Sequence, residues 1–253
     1  MRVVSLSPAL TEICLDLGAL SALAGASDHC ENLTESFPRV GAPKALNLEA
    51  VEALAPELIL ADRRDNRPEE IRQLEKKFKV TVFDVRSVDH AKIAVLQIGK
   101  PLGCSVKAAE IIAAIETEEK ACRAEAELRA KVPTLILIWN QPYLTVNFDT
   151  YPSRLVETAG GVNVFREDPI PEIALDLEDM IEKNPGLLIL PSDPFPFKRR
   201  HIATLRPYRV FSKIPIELVD GRLFSCYGRR TAEALRVLRG VMAKAASPIA
   251  AAL

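Results

Sequence analysis

The 253-residue chain has no apolar run approaching the roughly 18–20 residues of a membrane span. Its longest runs, around Leu135–Trp139 and Leu187–Leu190, are strand-sized. It has no basic excess either: 33 Lys and Arg against 34 Asp and Glu leave a formal charge of −1. Duplex nucleic acid is bound by displacing counterions with a basic face, so the balance excludes that partner class. The five cysteines are odd in number and include no Cys-x-x-Cys. Neither a disulfide scaffold nor a zinc knuckle is indicated, and buried thiols in a reducing compartment are the simplest account. Enzyme fingerprints are missing: no Gly-x-Gly-x-x-Gly after the first strand, no Walker loop, no Gly-x-Ser-x-Gly elbow and no His-Glu-x-x-His. The opening Met1-Arg2-Val3-Val4-Ser5-Leu6-Ser7-Pro8 reads as a strand entering a turn, without the apolar stretch of a secretory signal. The expectation is a cytoplasmic protein as written, or a periplasmic or otherwise extracytoplasmic one if a signal has been removed.

What is present is a 48% hydrophobic chain, enough to build a sizeable core. Short apolar runs alternate with helical patterns, which predicts an α/β fold. Strands are expected at Val3–Leu6, Leu23–Ala26, Leu58–Ala61, Val80–Val85, Thr134–Trp139, Leu187–Leu190 and Arg209–Phe211. Helices are expected after Ser7-Pro8, from Asn47 to Leu54, and over Pro68–Phe78, Val88–Leu102, Pro152–Ala159, Leu177–Asn184 and Arg230–Ala245. The tail Ser247–Leu253 is expected to fray. Between the halves, Ser105 to Lys131 contains no Gly or Pro and is rich in strong helix formers. A helix of about 26 residues would be about 39 Å long, a strut between two lobes.

The chain also repeats itself. Leu46-Asn47-Leu48-Glu49-Ala50-Val51, then Pro56, then Leu58-Ile59-Leu60, recurs 129 positions later without a gap as Leu175-Asp176-Leu177-Glu178-Asp179-Met180, Pro185 and Leu187-Leu188-Ile189. Each copy has a helix cap, a Glu at the second helical position, a Pro past the helix and a buried-type strand. The expected architecture is two similar α/β lobes with central, mostly parallel sheets, joined by one long α-helix. The boundaries fall at 1–104, 105–131 and 132–253, and a small ligand is expected in the crevice between the lobes.

These elements resemble the class III substrate-binding proteins of ABC transporters, the type serving cobalamin, haem and ferric siderophores. The likeness runs over the whole length. It is carried by Arg2–Pro8 with Thr11-Glu12, Asn47-Leu48-Glu49 through Pro56, Ala159–Val164 and Leu177-Glu178 through Pro185. The signal-less branch, cobalamin-binding proteins or helical-backbone metal receptors, is the nearest in pattern. Its marks are Ser27-Asp28-His29-Cys30, the Asn66 loop, Asp193–Phe197 with His201, and Asp220–Leu223 through Tyr227–Thr231. The resemblance implies a monomeric, non-catalytic binding protein for a metal chelate or corrinoid, needing no cofactor of its own. It also implies an ABC permease dimer as partner, docked through Glu49 and Glu178. Helix electrostatics alone would equally place a carboxylate in each first turn.

Candidate ligand groups follow from the chemistry of a flat chelate, which asks for aromatic walls, a few polar anchors and one axial donor. Eleven of the fourteen aromatic residues follow residue 131. Trp139, Tyr143, Phe195, Phe197 and Tyr227 fall after strands or in loops, where cleft walls would form; the plainer alternative is second-lobe core. His29 and Cys30 are the candidate metal donors, against a surface histidine beside a half-buried thiol. Arg63 and Asn66, with Arg64, could bind propionates, phosphates or amides, against a charged capping loop. Lys198-Arg199-Arg200-His201 could meet anionic groups, against a solvated run. The stretch Gly41–Ala45 before Asn-Leu-Glu has no aromatic residue, where cobalamin binders carry one, so the ligand stays open among cobalamin, haem and ferric siderophore. Two alternatives stand beside binding for transport: a chelatase-like protein or metallochaperone, and a cytoplasmic corrinoid or metal sensor.

Overall fold

The computed structural model describes residues 1–246; the tail Ser247–Leu253 lies outside the described residues. The chain divides into two compact units. One comprises Met1–Val85, Asp89–Ala113 and Cys226–Arg229, the other Arg86–Val88, Ala114–Ser225 and the chain from Arg230 onward.

The first unit opens with β1 (Val3–Ser5), α1 (Pro8–Asp16) and β2 (Leu23–Ala26), followed by a small hairpin of β3 (Gly41–Ala42) and β4 (Ala45–Leu46). Then come α2 (Leu48–Ala53), β5 (Leu58–Asp62), α3 (Pro68–Glu75), β6 (Val80–Phe83) and α4 (Val88–Gly99). The sheet order is β2-β1-β5-β6, and every pair is parallel. β1 and β5 are buried along their whole length, as central parallel strands covered on both faces must be. Val4, Leu6, Val51, Ile59, Ile71 and Leu74 form the core here.

The second unit contains β7 (Val132–Ile136), β8 (Tyr143–Val146), α6 (Tyr151–Thr158), β9 (Gly161–Asn163), β10 (Glu172–Leu175), α7 (Leu177–Glu182) and β11 (Leu187–Pro191). It continues through α8 (Arg199–Leu205), α9 (Arg209–Lys213), β12 (Ile216–Val219), α10 (Arg222–Ser225) and α11 (Arg229–Ala245). Its main sheet is parallel in the order β12-β11-β7-β9. Read from the other edge, this is the order of the first sheet, with β7 standing for β1, β9 for β2, β11 for β5 and β12 for β6. The repeat is therefore structural: β5 and β11 are both five-residue, fully buried strands, each preceded by a six-residue helix, and each unit adds an antiparallel two-stranded pair, the β3–β4 hairpin in one and β8 with β10 in the other.

The long helix α5 spans Ser105–Ala126, 22 residues, and stops short of the expected Lys131. Arg129 ends it by folding back, its Nε donating to the Glu125 carbonyl at 3.1 Å and its Nη2 to the Glu125 carboxylate at 2.6 Å. The strand expected at Arg209–Phe211 is instead helix α9, and the strand of that region is β12, after Pro215. A three-residue apolar run cannot separate the two by periodicity. The β3–β4 hairpin is too short for patterning to show, since each strand has two residues.

Candidate functional site

In open parallel sheets ligands sit beyond the carboxyl ends of the strands. In the first unit this end is polar and tightly bonded. Asp62 closes β5 at 1% exposure. Its Oδ1 accepts the Arg64 amide at 2.9 Å and its Oδ2 accepts the Tyr227 hydroxyl at 3.3 Å. Burial, with Asp65 nearby, pushes the Asp62 carboxyl up to about 6 against the opposing pull of Arg64 and Tyr227. Asn66 folds back over the loop. Its Oδ1 accepts the Asp62 amide at 2.8 Å, and its Nδ2 donates to the carbonyls of Leu6 at 2.9 Å and Pro43 at 3.1 Å. Both amide protons are consumed, so Asn66 is a staple of the fold rather than a free donor for a ligand. Ser7 donates to Asp65 Oδ2 at 2.5 Å.

His29 and Cys30 part company. His29 is exposed in the turn after β2, whereas Cys30 is 4% exposed. The Cys30 Sγ contacts Thr11 Oγ1 at 3.1 Å and Ser27 Oγ at 3.2 Å. Burial pushes this thiol up, which keeps it protonated and a poor metal donor. Arg39 pins the loop by donating to the carbonyls of Ser27 at 3.0 Å and Cys30 at 2.9 Å. The expected pair of metal donors is thus one exposed imidazole and one inward thiol. Among the described residues no group of three or more His, Cys, Asp or Glu is placed to hold a metal ion. Arg63 is exposed and lies 3.2 Å from Asp84 Oδ2. Tyr227, expected beside the other aromatics, is 4% exposed in the first unit on Asp62. Its neighbour Gly228 has φ +70°, and a Cβ there would come within 3.1 Å of Ile13 and 3.2 Å of Asp16 Oδ2.

In the second unit the carboxyl ends of β7 and β11 carry rings. The chain leaves β7, turns at Gln141-Pro142 and returns as β8, with the Ile138 amide donating to the Leu144 carbonyl at 2.8 Å and Thr145 Oγ1 to the Ile136 carbonyl at 2.6 Å. That return holds Trp139, the only tryptophan of the chain, at the end of the strand with 39% of its surface exposed. Phe195, from the loop after β11, meets it edge to face at 5.6 Å between ring centroids. Phe195 also meets Phe197 at 4.7 Å and His201 at 5.2 Å, and Phe197 lies 5.6 Å from His201. Phe197 is buried among Leu135, Leu137, Leu190, Leu205 and Phe211, and Tyr143 packs half-buried against the same core. Burial, then Tyr208, pushes the Tyr143 phenol up. Gly221 anchors the loop from behind: its amide donates to Ser192 Oγ at 3.0 Å, and a Cβ would strike the Asp193 backbone at 2.1 Å.

Four of the expected aromatics are therefore gathered in one unit. His201, marked in the sequence with Asp193–Phe197 and for its basic run, joins them, while Asp62, Asp65 and Ser7 were missed. Glu49 and Glu178 occupy the second position of α2 and α7, both exposed. Asn47 caps α2 through the Ala50 amide at 3.0 Å, and Asp176 caps α7 through the Asp179 amide at 2.9 Å.

Two parallel α/β units with a ring-lined strand end describe a protein built to hold a ligand. Residues 3–195 match the family described as periplasmic binding protein, and the chain belongs to that family, one of binding proteins and not of enzymes. The chain is similar to the vitamin B12-binding protein of Pectobacterium carotovorum subsp. carotovorum at 26% identity over 199 residues, 76% of this chain and 72% of that one. Its similarity to the vitamin B12-binding protein of Vibrio vulnificus is 28% over 193 residues, 75% and 70% of the two. Among solved structures, the periplasmic heme-binding protein RhuT from Roseiflexus sp. RS-1 matches with a TM-score of 0.80 at 21% identity, over 97% of this chain and 99% of that one. No helix among the described residues is long and apolar enough to cross a membrane.

Proposed function

We propose that the chain binds a flat metal chelate or corrinoid, of the cobalamin, haem or ferric-siderophore kind, without chemistry on it. The observation that carries this reading is the ring cluster of Trp139, Phe195 and Phe197 at the carboxyl ends of β7 and β11. A half-exposed tryptophan and phenylalanine on a fixed floor offer a face to a large apolar plane and little to a small polar solute. The names of the similar proteins, vitamin B12-binding and heme-binding, agree in ligand shape. Trp139, Tyr143 and Phe195 are the proposed contacts, with Phe197 beneath them. Cys30, Asn66 and Tyr227 leave the contact set, because internal hydrogen bonds already use them. In the same reading the chain is the substrate-binding component of an ABC-type uptake system, or a soluble relative of one, and Glu49 and Glu178 face the permease.

The test is a thermal-shift series with cobalamin, cobinamide, haemin, ferric siderophores and free divalent metals. A ligand at 100 times its dissociation constant stabilises the fold by about 2.7 kcal/mol. A chelate should raise the melting temperature and quench Trp139 in the same titration. A shift with free metals and none with any chelate would overturn the reading.

A further inference from the structure

A second concave site lies in the first unit, on the α4 face of its sheet. It is an open groove of about 580 Å³ that reaches the amino ends of the strands at Met1 and Glu57. That volume falls in the range of small-molecule sites. β5 and β6 pair in parallel with Leu60 beside Thr81, and the Ile59 amide donates to the Lys79 carbonyl at 2.9 Å. Ile59, Ala61 and Val80 turn to the core with Ile71 and Leu74. Alternation then turns Leu58, Leu60, Lys79, Thr81 and Phe83 to the other face, where they line the groove. Across from them α4 buries Ala91, Ala94, Val95 and Ile98 and presents Gln97 and Lys100, with Pro101 just past its end.

The polar groups of this groove are unspent. Among the described residues no hydrogen bond or ion pair uses the Lys79 or Lys100 ammonium, the Thr81 hydroxyl or the Gln97 amide. The one acid lining the groove, Glu57, already accepts the Arg2 amide at 2.5 Å. The fold does not require this arrangement. In the second unit the Leu188 amide donates to the Pro215 carbonyl at 3.0 Å, as Ile59 does to Lys79. By the same register Pro215 stands for Lys79 and Glu217 for Thr81. The ladder is kept there with a cation gone and an acid in place of the hydroxyl, so the positive groove belongs to the first unit and not to the repeat.

We infer that this groove binds a medium-chain alkyl carboxylate, its head taken by Lys79 and Lys100 and its chain laid along Leu60 and Phe83. A lysine ammonium is a point charge on a flexible stem, so two of them can close on one carboxylate without a fixed fork. Their stems, with Pro101, give the chain apolar walls above the leucine and phenylalanine floor. Thr81 and Gln97 add neutral donors beside the head. The groove lies in a different unit from Trp139 and Phe195, so it stands or falls without the ring cluster.

The experiment titrates octanoate, nonanoate and decanoate into the full chain by calorimetry, below micelle formation, with Trp139 fluorescence followed in parallel. Each added methylene should tighten binding about fourfold. Fluorescence should stay constant, because the only tryptophan of the chain is in the other unit. Decyltrimethylammonium, with the same chain and the opposite charge, should bind at least about tenfold more weakly than decanoate. Lys79→Gln combined with Lys100→Gln should weaken decanoate about tenfold and leave the melting temperature nearly unchanged, since both side chains are exposed. Thr81→Glu, which copies the residue of the second unit, should weaken it as well. No binding of any carboxylate overturns the inference, and so does undiminished affinity in the double lysine variant. Quenching of Trp139 in step with the binding heat would place the carboxylate on the rings and overturn the groove, while the flat-ligand reading stands.

Discussion

The repeated strands β5 and β11 match in length, burial and position in their sheets, and then part at the last residue. In the first unit that residue is Asp62, and the chain beyond it is stitched by Asn66, Asp65 and Ser7. In the second it is Pro191, and the chain beyond it carries Phe195, Phe197 and His201. One half spends its strand end on internal hydrogen bonds, whereas the other leaves rings half-exposed. Duplication fixes the ladder, because parallel strands buried on both faces read as nearly continuous apolar runs. The loop after the strand is free to differ, and function collects there.

The largest expected effect breaks the polar half. Asn66→Ala strands the Leu6 and Pro43 carbonyls and the Asp62 amide, three groups in a site too crowded for easy rehydration. The expected loss is about 3–5 kcal/mol in urea unfolding. The second unit has its own staple. Asn163 Nδ2 donates to the Val146 carbonyl at 2.6 Å and to Ser153 Oγ at 2.9 Å, and its Oδ1 accepts the Phe165 amide at 3.0 Å. Asn163→Ala should cost a similar amount. A loss under about 1 kcal/mol in either variant would show that the stapled groups find other partners.

Next in size is the titration of Asp62. Its folded value, about 6, lies above the ordinary 3.8. Between those values the folded chain holds a proton that the unfolded chain has released. Stability from this group is therefore fully present below about pH 4 and lost as pH rises through about 6, for a total of about 3 kcal/mol. Asp62→Asn keeps an acceptor for the Arg64 amide and removes the titration. The difference between native and variant stability should fall by about that amount from pH 4 to pH 7. Parallel profiles would mean that Asp62 titrates as an ordinary surface acid.

How much of this was legible depended on range. The cap, the Glu, the Pro and the strand of each repeat lie within about fifteen residues, and the sequence pattern located both copies with their register. The pairing of Tyr227 with Asp62 spans 165 positions, and nothing local in Cys226–Arg229 marks it. The aromatic types around Trp139 and Phe195 were readable as a population concentrated after residue 131. That Tyr227 leaves the group and His201 enters it is a tertiary fact. Val210-Phe211 was misread as strand because a buried turn of helix and a buried strand of that length carry the same pattern.

The smallest expected effect bears on Glu49 and Glu178, where the two halves are most alike. Both side chains are exposed in the first turn of a six-residue helix, so neutralising either should cost less than about 1 kcal/mol. The costs should still differ. Glu49 is the only acid in the first turn of α2, whereas Glu178 shares that of α7 with Asp179 beside the Asp176 cap. Three carboxylates in one turn repel, which offsets part of their attraction to the helix end. Glu49→Gln should therefore lower the melting temperature more than Glu178→Gln, and the order should fade at high salt as exposed charges are screened. Larger losses in either variant would assign the carboxylate to the fold. With stability and ligand affinity both nearly intact, a transport defect in the same variants would instead be a lost contact with a permease.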